Sequence, residues 1–364
     1  MRSSIILALV ASLSLSANQA TTTNTIDNSI LYSKFEPLIG SKYIPLTESQ
    51  YQTHYDEFIK KHNKPYHNNK SEYLQRYNIF KQNLYKIYQH NLHADAGLHT
   101  YRMGVNEHAD MTWNEFKLKM KGYTHIEHSV YRSANTITYD KSIIQHVKDT
   151  VKEVDWVSKG VVSEVKNQGQ CGSCWAFSAT GSIESANAIS TGKLVELSEQ
   201  ELVDCSTPEG NNGCNGGLMD YAFQWVIDNK GICAEQSYEY TASGPNQCSI
   251  SCDSVVHISG FKDIPEGDED SLLTAVATVG PISIAIEADQ ESFQFYSSGV
   301  LDTECGTQLD HGVLLVGYGT TEDGIDFWNV KNSWGASWGN QGYIKLIRGK
   351  NQCGVASAAS YPIV

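Results

Sequence analysis

Residues 168–177 read Gln-Gly-Gln-Cys-Gly-Ser-Cys-Trp-Ala-Phe and place Cys174 between a glycine-rich turn and an apolar run. The run has helical spacing, and the residues that recur near the helical period are Cys174, Phe177, Ile183, Ala186 and Ile189. Cys174 is therefore predicted at the N-terminus of a helix. Unpaired backbone N–H groups and the positive end of the helix dipole meet there, and both favour the nucleophilic thiolate.

Two more polar residues, His311 and Asn332, lie far downstream. His311 heads one predicted strand and Asn332 follows the next, and the midpoint between them falls among the turn-forming residues 320–324. Because a hairpin brings together the residues at its open end, His311 and Asn332 are predicted to be neighbours. This argument does not place Cys174 beside them.

The hydrophobic pattern after Cys174 changes from helical to strand-like. Helices are predicted at residues 174–190, 198–205 and 218–228. Strands are predicted at residues 282–286, 312–318, 327–331 and 343–347. A helical half followed by a β half predicts an α+β fold with two packed domains and a cleft between them.

Two further helices are predicted in the first third of the chain, one from near Leu46–Ser49 and one from about Lys70 to Leu92. Six residues of the second helix form a stripe about 100° wide. Because four of them are polar, their side chains could hold a small domain together through hydrogen bonds. The six residues are Glu72, Arg76, Phe80, Asn83, Ile87 and Asn91. An ordinary amphipathic helix is the alternative. Residues 21–45 show little pattern, and residues 122–149 lack helical spacing, as a linker would.

Residues Met1–Ala20 have the features of a secretory signal peptide: a charged start at Arg2, an apolar stretch from Ile5 to Leu15, and small residues for cleavage. A membrane anchor is the alternative, but the apolar stretch is too short, since a bilayer requires about 20 residues.

Nine cysteines all lie after residue 170, and the secretory route permits disulfides. Eight can pair, so one thiol is left over as either a defect or the working residue. They are Cys171, Cys174, Cys205, Cys214, Cys233, Cys248, Cys252, Cys305 and Cys353.

The net charge of −14 is unevenly distributed. Residues 1–149 contain 17 basic and 13 acidic side chains, whereas residues 150–364 contain 10 and 28. Ten of the twelve histidines also precede residue 150. The two parts are expected to attract each other, and the acidic rear part argues against nucleic-acid binding.

The chain resembles the papain-like cysteine proteases of the cathepsin L-like branch over about residues 50–364. The match rests on Cys-Gly-Ser-Cys-Trp at 171–175, Leu-Asp-His-Gly at 309–312, Lys-Asn-Ser-Trp-Gly at 331–335 and the six-residue stripe, which corresponds to the ERFNIN motif of inhibitory propeptides. Residues 104–110 resemble a second propeptide motif, with His108 where Phe is usual.

The resemblance implies a papain-like two-domain fold, with a helical left domain and an antiparallel β-barrel-like right domain. It implies a signal peptide at 1–20, an inhibitory propeptide at 21–149 and a mature peptidase at 150–364. The propeptide would be helical over about 50–120. Over about 122–149 an extended segment would block the cleft, running opposite to a substrate.

The resemblance also implies the catalytic roles. Cys174 would be the nucleophile, His311 its acid–base partner, Asn332 the residue that orients His311, and Gln168 an oxyanion donor. The implied substrate-binding residues are Gly172, Gly216, Gly217, Leu218, Met219, Ala285, Leu309, Trp334 and Ala358. Because the main pocket is apolar, bulky apolar side chains are expected in the second subsite.

The family's pattern implies the bridges Cys171–Cys214, Cys205–Cys248 and Cys305–Cys353, which leaves Cys233 and Cys252 for a fourth. Asn69 begins a glycosylation sequon, Asn-Lys-Ser.

The expected protein is a monomeric secreted or lysosomal endopeptidase, activated from its zymogen at acidic pH. It needs no cofactor or metal and binds protein substrates and its own propeptide, but neither nucleic acid nor membrane. Two alternatives from other classes are a redox protein built on Cys171-x-x-Cys174 and a silent papain-like scaffold. A zinc site is disfavoured because no second Cys-x-x-Cys occurs.

Overall fold

The structure is a computed structural model that describes residues 46–120, 122–124, 135–303 and 305–364. The predicted signal peptide at 1–20 and the featureless residues 21–45 lie outside these ranges. Among the described residues, no helix is both long and apolar enough to cross a membrane. Residues 46–150 are called the N-terminal part below, and residues 151–364 the C-terminal part.

The N-terminal part contains α1 (Glu48–Lys61), α2 (Lys70–Asp95), β1 (Tyr101–Met103), α3 (Trp113–Met120) and α4 (Lys141–Thr150). Thr47 caps α1 through a capping box with Gln50. The two long helices pack through an aromatic cluster that includes Tyr55, Phe58 and Phe80.

The polar stripe on α2 does lock this part of the chain. Asn83 is buried, and its Nδ2 donates to the carbonyl oxygens of Ala109 and Met111 at 2.9 and 2.8 Å. Asn91 exchanges two hydrogen bonds with Met103 in β1. These contacts hold the turn at 104–111 against the helix, because each satisfies backbone groups that would otherwise lack a partner.

The helix α4 corrects the expectation that residues 122–149 are extended. Among its side chains only Val147 is buried, although Ile143, Ile144 and Val147 recur at helical spacing. The helix packs on α8 (Glu269–Thr278), where Lys148 Nζ lies 2.8 Å from Asp270 Oδ1. Only residues 122–124 of the predicted segment are described in the cleft.

The helices of the C-terminal part are α5 (Cys174–Thr191), α6 (Glu199–Cys205), α7 (Met219–Asp228), α8 and α9 (Glu291–Phe295). The first three agree with the predicted helices to within one residue at each end. Nearly all of α5 is buried, so it forms the centre of this part.

Strands of the C-terminal part are β2 (Val154–Asp155), β3 (Gly260–Asp263), β4 (Ile282–Ile286), β5 (Tyr296–Leu301), β6 (His311–Thr320), β7 (Asp326–Lys331), β8 (Tyr343–Ile347) and β9 (Ala359–Ile363). Their order is β1-β5-β8-β7-β6-β4-β9-β3, with β2 beside β6. The described strands thus form an open sheet rather than a closed barrel. All pairs are antiparallel except β5–β8.

The strand β1 extends this sheet, since Tyr101 lies opposite Gly299 and Arg102 opposite Ser298 of β5. The N-terminal part is therefore joined to the C-terminal part by backbone hydrogen bonds as well as by side chains. This arrangement is strand addition at a sheet edge.

Four disulfides join Cys171 to Cys214, Cys205 to Cys248, Cys233 to Cys252 and Cys305 to Cys353. Three of them are the pairs that the family resemblance implies, and Cys233–Cys252 is the pair expected by elimination. Cys174 is the one free cysteine, and it is buried.

Candidate active site

The thiol of Cys174 lies at the first residue of α5, as the sequence predicts. The preceding residue, Ser173, makes no side-chain capping bond to the helix. The backbone N–H of Gly312 in β6 donates to Cys174 Sγ at 3.2 Å. This contact brings the start of β6, and therefore His311, to the cysteine.

The hairpin β6–β7 brings His311 to Asn332, confirming that they are neighbours. Leu314 pairs with Lys331 in the register, and His311 Nε2 lies 2.8 Å from Asn332 Oδ1. The N–H of Ser333 also donates to Asn332 Oδ1 at 2.8 Å. Since an atom that accepts from a backbone N–H must be the amide oxygen, His311 Nε2 carries a proton and donates to it. Its Nδ1 is then the free basic nitrogen.

Trp334 covers this pair of residues. Its indole ring lies 4.6 Å from the imidazole of His311, centroid to centroid, and the side chain is 1 % exposed. The His311–Asn332 hydrogen bond is thereby shielded from water, which strengthens it.

Gln168 is fully buried. Its Nε2 donates to the carbonyl oxygen of Cys171 at 2.9 Å, and its Oε1 accepts from Ser333 Oγ at 2.6 Å. The serine hydroxyl therefore fixes which way the amide faces and leaves the second N–H of Nε2 for a ligand. Ser333 was not singled out from the sequence, although it lies inside the Lys-Asn-Ser-Trp-Gly run.

Residues 122–124 lie across the site. Tyr123 forms a parallel bridge with Gly217, in which the Gly217 N–H donates to the Gly122 carbonyl at 3.0 Å and the Thr124 N–H donates to the Gly217 carbonyl at 3.2 Å. A Cβ on Gly122 would stand 2.5 Å from the Gly172 oxygen and 2.9 Å from Cys174 Sγ. Only glycine fits this close to the thiol.

The predicted subsite residues are also at this cleft. Met219, Ala285, Leu309 and Ala358 belong to one buried hydrophobic cluster, and Tyr123 packs against that cluster. Leu218 is buried beside Met219. Gly216 touches the occupying segment, since a Cβ there would lie 2.7 Å from Thr124 Oγ1.

The covered site holds its reactive pair in the neutral forms. Burial raises the pKa of the Cys174 thiol to about 12, against the backbone N–H groups of Gly312, Trp175 and Cys174, which favour the thiolate. Burial also lowers the pKa of His311 to about 4, against its hydrogen bond to Asn332. Desolvation penalises both charged forms.

The disulfide pattern excludes a Cys171–Cys174 redox pair, because Cys171 is bonded to Cys214. Within the described ranges, no group of three or more His, Cys, Asp or Glu side chains is placed to hold a metal ion. The reactive groups at this site are a thiol, an imidazole and amide donors.

Comparison with known proteins identifies two families along the chain. Residues 150–363 match the family described as papain family cysteine protease, and residues 55–116 match the cathepsin propeptide inhibitor domain. Cathepsin L1 of Drosophila melanogaster is 49% identical over 312 residues, covering 84% of each chain. Procathepsin L of Mus musculus is 44% identical over 327 residues, covering 88% of this chain and 94% of its own.

Solved structures agree with these matches. Digestive procathepsin L 3 from the larval midgut of Tenebrio molitor superposes with a TM-score of 0.75 at 42% identity, covering 86% of this chain and 99% of its own. The chain therefore belongs to the papain family of cysteine proteases, as a cathepsin L-like endopeptidase in its zymogen form with a propeptide inhibitor domain in the same polypeptide.

Proposed function

We propose that Cys174 is the nucleophile of this endopeptidase and that His311, Asn332 and Gln168 complete its catalytic site. The observation that carries the proposal is the contact between Gly312 N–H and Cys174 Sγ at 3.2 Å, beside a His311–Asn332 hydrogen bond of 2.8 Å. A thiol, a base and an orienting amide are the parts that covalent cysteine catalysis requires.

The proposed reaction follows from the tautomer of His311, in which Nε2 carries the proton and Nδ1 is free to accept one. Once the cleft is open to water, the charged forms are solvated, and His311 Nδ1 takes the proton of the Cys174 thiol. The thiolate attacks the peptide carbonyl, and the oxyanion binds the free N–H of Gln168 Nε2 and the Cys174 N–H. His311 then protonates the leaving amine, which leaves a thioester that water hydrolyses with His311 as the base.

Modification of one thiol tests this site. After acid activation, a thiol-directed epoxide is expected to form a single adduct at Cys174, located by peptide mass spectrometry, with complete loss of peptide-bond cleavage. The control variant Cys174→Ser should bind no reagent and cleave nothing. Labelling of Cys171, or peptide-bond cleavage that persists without an adduct at Cys174, contradicts the assignment.

The main specificity pocket is proposed to accept bulky apolar side chains in the second subsite. Its predicted lining includes Met219, Ala285, Leu309 and Ala358, which belong to a buried apolar cluster. Tyr123 of the propeptide packs against the same cluster, which supports a fit to a large ring. A guanidinium would meet no counter-charge among these side chains, and burying it unpaired costs several kcal/mol.

Peptide substrates that differ at this one position test the pocket. Leu, Phe or Val next to the residue whose bond is cut should give kcat/KM roughly 10-fold or more above Arg, because an unpaired charge is poorly buried. The variant Ala358→Glu should reverse the order by supplying a carboxylate. Equal cleavage of the Leu and Arg peptides by the wild-type enzyme contradicts the proposal.

Residues 21–149 are proposed to be the inhibitory propeptide and residues 150–364 the mature peptidase. The parallel Tyr123–Gly217 bridge supports a segment that runs opposite to a substrate. The Gly122 carbonyl accepts from Gly217 rather than from Gln168, so the oxyanion donors do not polarise it. The boundary falls on Thr150, the last residue of α4, so this helix has to unwind before the junction can enter a cleft as a strand.

Gly122→Ala is expected to loosen this inhibition. The new methyl group would collide with backbone at Gly172, and overpacking of this kind costs about 1–3 kcal/mol, which raises the open-cleft population roughly 5- to 150-fold. The rate of epoxide labelling of Cys174 in the zymogen at neutral pH measures this population. Gly260→Ala in β3 is the control, because its methyl would meet only Ile363 Cδ1 at an ordinary 3.7 Å. An unchanged labelling rate in Gly122→Ala contradicts the proposed blocking position.

Release of the propeptide is proposed to occur in acid, with His108 as its main sensor. His108 is 2 % exposed, and neither ring nitrogen has a hydrogen-bond partner among the described residues. Its ring stands edge-on to Trp334 at 5.8 Å, so it lies between the propeptide and the cover of the catalytic pair. Among the described residues, the carboxylate of Glu107 lies 3.8 Å from His108 Nε2.

Protonation of His108 opposes docking. Burial, followed by the positive charges of Lys64, His62 and Lys119, lowers the pKa of His108 to about 3. An exposed histidine has a pKa near 6.5, so the undocked state binds the proton first. The contribution of His108 to docking is therefore complete above about pH 6.5 and decreases by about 1.4 kcal/mol per pH unit as the pH falls toward about 3.

Ion pairs between the two parts contribute less. Lys86–Glu291 and Lys148–Asp270 cross the boundary, but all four side chains are exposed. Such pairs are worth at most about 1 kcal/mol each. Buried His108 therefore makes a larger pH-dependent contribution to docking than either of these two ion pairs.

The variant His108→Phe keeps an aromatic ring and removes the titration. Its zymogen should activate at a lower pH than the wild type and remain intact longer at pH 5, as followed by gel and peptide cleavage. His54→Phe, at an exposed position of α1, is the matched control and should leave the activation pH unchanged. An unchanged midpoint in His108→Phe would exclude His108 as the sensor.

The protein is proposed to act as a monomer in a lysosome-like compartment or outside the cell, without a cofactor, nucleic acid or membrane. The histidine-based release of its propeptide suits an acidic compartment. Asn69 is exposed at the N-terminus of α2, where its Oδ1 caps the helix by accepting from the Glu72 N–H, and it is the proposed glycosylation site.

A further inference from the structure

The hydroxyl of Tyr240 joins the two ends of the segment that leads into the catalytic helix. It donates to the carbonyl oxygen of Gln168 at 2.8 Å and forms a second hydrogen bond with Ser173 Oγ at 2.6 Å. Gln168 and Cys174, the residue after Ser173, are the two proposed oxyanion donors. One side chain from a separate loop thus contacts the chain next to both.

The bridged segment needs such a constraint. It contains Gly169, which has φ +64°, and Gly172, and glycine gives a loop more backbone freedom than any other residue. Its other contacts include the Cys171–Cys214 disulfide and two hydrogen bonds of Gln168, from its N–H to the Ser333 carbonyl at 2.8 Å and from its Nε2 to the Cys171 carbonyl at 2.9 Å. None of these contacts joins the Gln168 end directly to Ser173.

The same hydrogen bond redirects Ser173. Serine is a preferred N-cap, and its hydroxyl normally accepts from an N–H in the first turn of the helix. Here Ser173 Oγ makes no capping bond and binds Tyr240 instead. The first N–H groups of α5 therefore remain directed to the thiol and to the place where a substrate oxyanion would form.

Packing holds the tyrosine itself in place. Its ring stands edge-on to Phe177 of α5 at 4.8 Å, and its N–H donates to Glu235 Oε1 at 3.0 Å. Burial raises the pKa of Tyr240 well above its ordinary value, so the hydroxyl remains a donor throughout the working pH range.

We propose that Tyr240 is a positioning residue that sets the spacing between the Gln168 amide and the Cys174 N–H in the oxyanion site. The inference rests on the proposed roles of Gln168 and Cys174. It assigns to Tyr240 no contact with the substrate. Tyr240 is expected to stabilise the transition state and not the bound substrate, because the substrate carbonyl does not yet depend on both donors.

The test removes one oxygen atom. Tyr240→Phe, assayed as the activated enzyme with active sites titrated by a thiol-directed epoxide, should lower kcat roughly 3- to 10-fold with KM unchanged, a fraction of the roughly 100-fold or greater loss for a deleted oxyanion donor. Affinity for a peptide aldehyde, which forms a tetrahedral adduct with the thiol, should fall by the same factor.

Tyr238→Phe is the matched control. Tyr238 lies two residues away in the same loop, and its hydroxyl donates to Asp204 Oδ2 at 3.0 Å rather than to the oxyanion segment. This variant should keep kcat. If both variants lose thermal stability to the same extent and neither changes kcat, Tyr240 has a structural role only and the inference is overturned.

A double-mutant cycle with Gln168→Ala separates the inference from the proposed function. If Tyr240 acts through Gln168, then Tyr240→Phe should have a clearly smaller effect on kcat when Gln168 is already absent. Additive effects overturn the inference. If Gln168→Ala alone leaves kcat unchanged, the proposed oxyanion role of Gln168 fails, and the inference fails with it.

Discussion

The close approach of β6 to the first turn of α5 is the contact on which the catalytic site depends. It is possible because residue 312 is glycine: a Cβ there would lie 3.1 Å from the Trp175 Cα and 3.2 Å from the Trp175 nitrogen. At this separation the Gly312 N–H reaches Cys174 Sγ, and His311 is the residue directly before Gly312. Ser178 Oγ extends the contact along the helix by donating to the Val313 carbonyl at 2.7 Å.

A buried charge network lies behind this contact. Lys166 pairs with Glu184 at 3.0 Å and with Glu199 at 2.7 Å, and Lys331 Nζ donates to Ser163 Oγ at 3.0 Å. Lys331 directly precedes Asn332, so the network anchors the end of β7 that orients the imidazole. Buried charges contribute little net stability, but an unpaired one is costly, and this favours a single arrangement of the helical and β halves.

Burial explains how the zymogen can be assembled around a reactive residue. When residues 122–124 cover the cleft, desolvation raises the pKa of Cys174 by more than the helix N-terminus lowers it. Cys174 and His311 therefore remain neutral. His108 is subject to the same physics on the propeptide side. Desolvation is therefore the common cause of both effects. It keeps Cys174 and His311 uncharged in the zymogen, and it makes the docked propeptide sensitive to protonation of His108.

Local patterns in the sequence were sufficient for much of this protein. Spacing predicted the helix that begins at Cys174 and the hairpin that joins His311 to Asn332, because both depend on neighbours along the chain. Motifs such as Cys-Gly-Ser-Cys-Trp identified the family and, through it, three of the four disulfide pairs, and elimination gave the fourth. The helix α4 was not predicted, because its three regularly spaced apolar residues stand in a segment otherwise rich in Thr, Ser, Tyr and His.

Other features arise only when distant segments meet in the folded chain. The contact of Gly312 with Cys174, the burial of His108 beneath Trp334 and the bridge from Tyr240 to Gln168 and Ser173 each join residues that are far apart in sequence or in different structural elements. The ionisation of the catalytic pair belongs to this group as well. It depends on whether the segment 122–124 covers the cleft, because desolvation is a property of the surroundings of a residue and not of the residue itself.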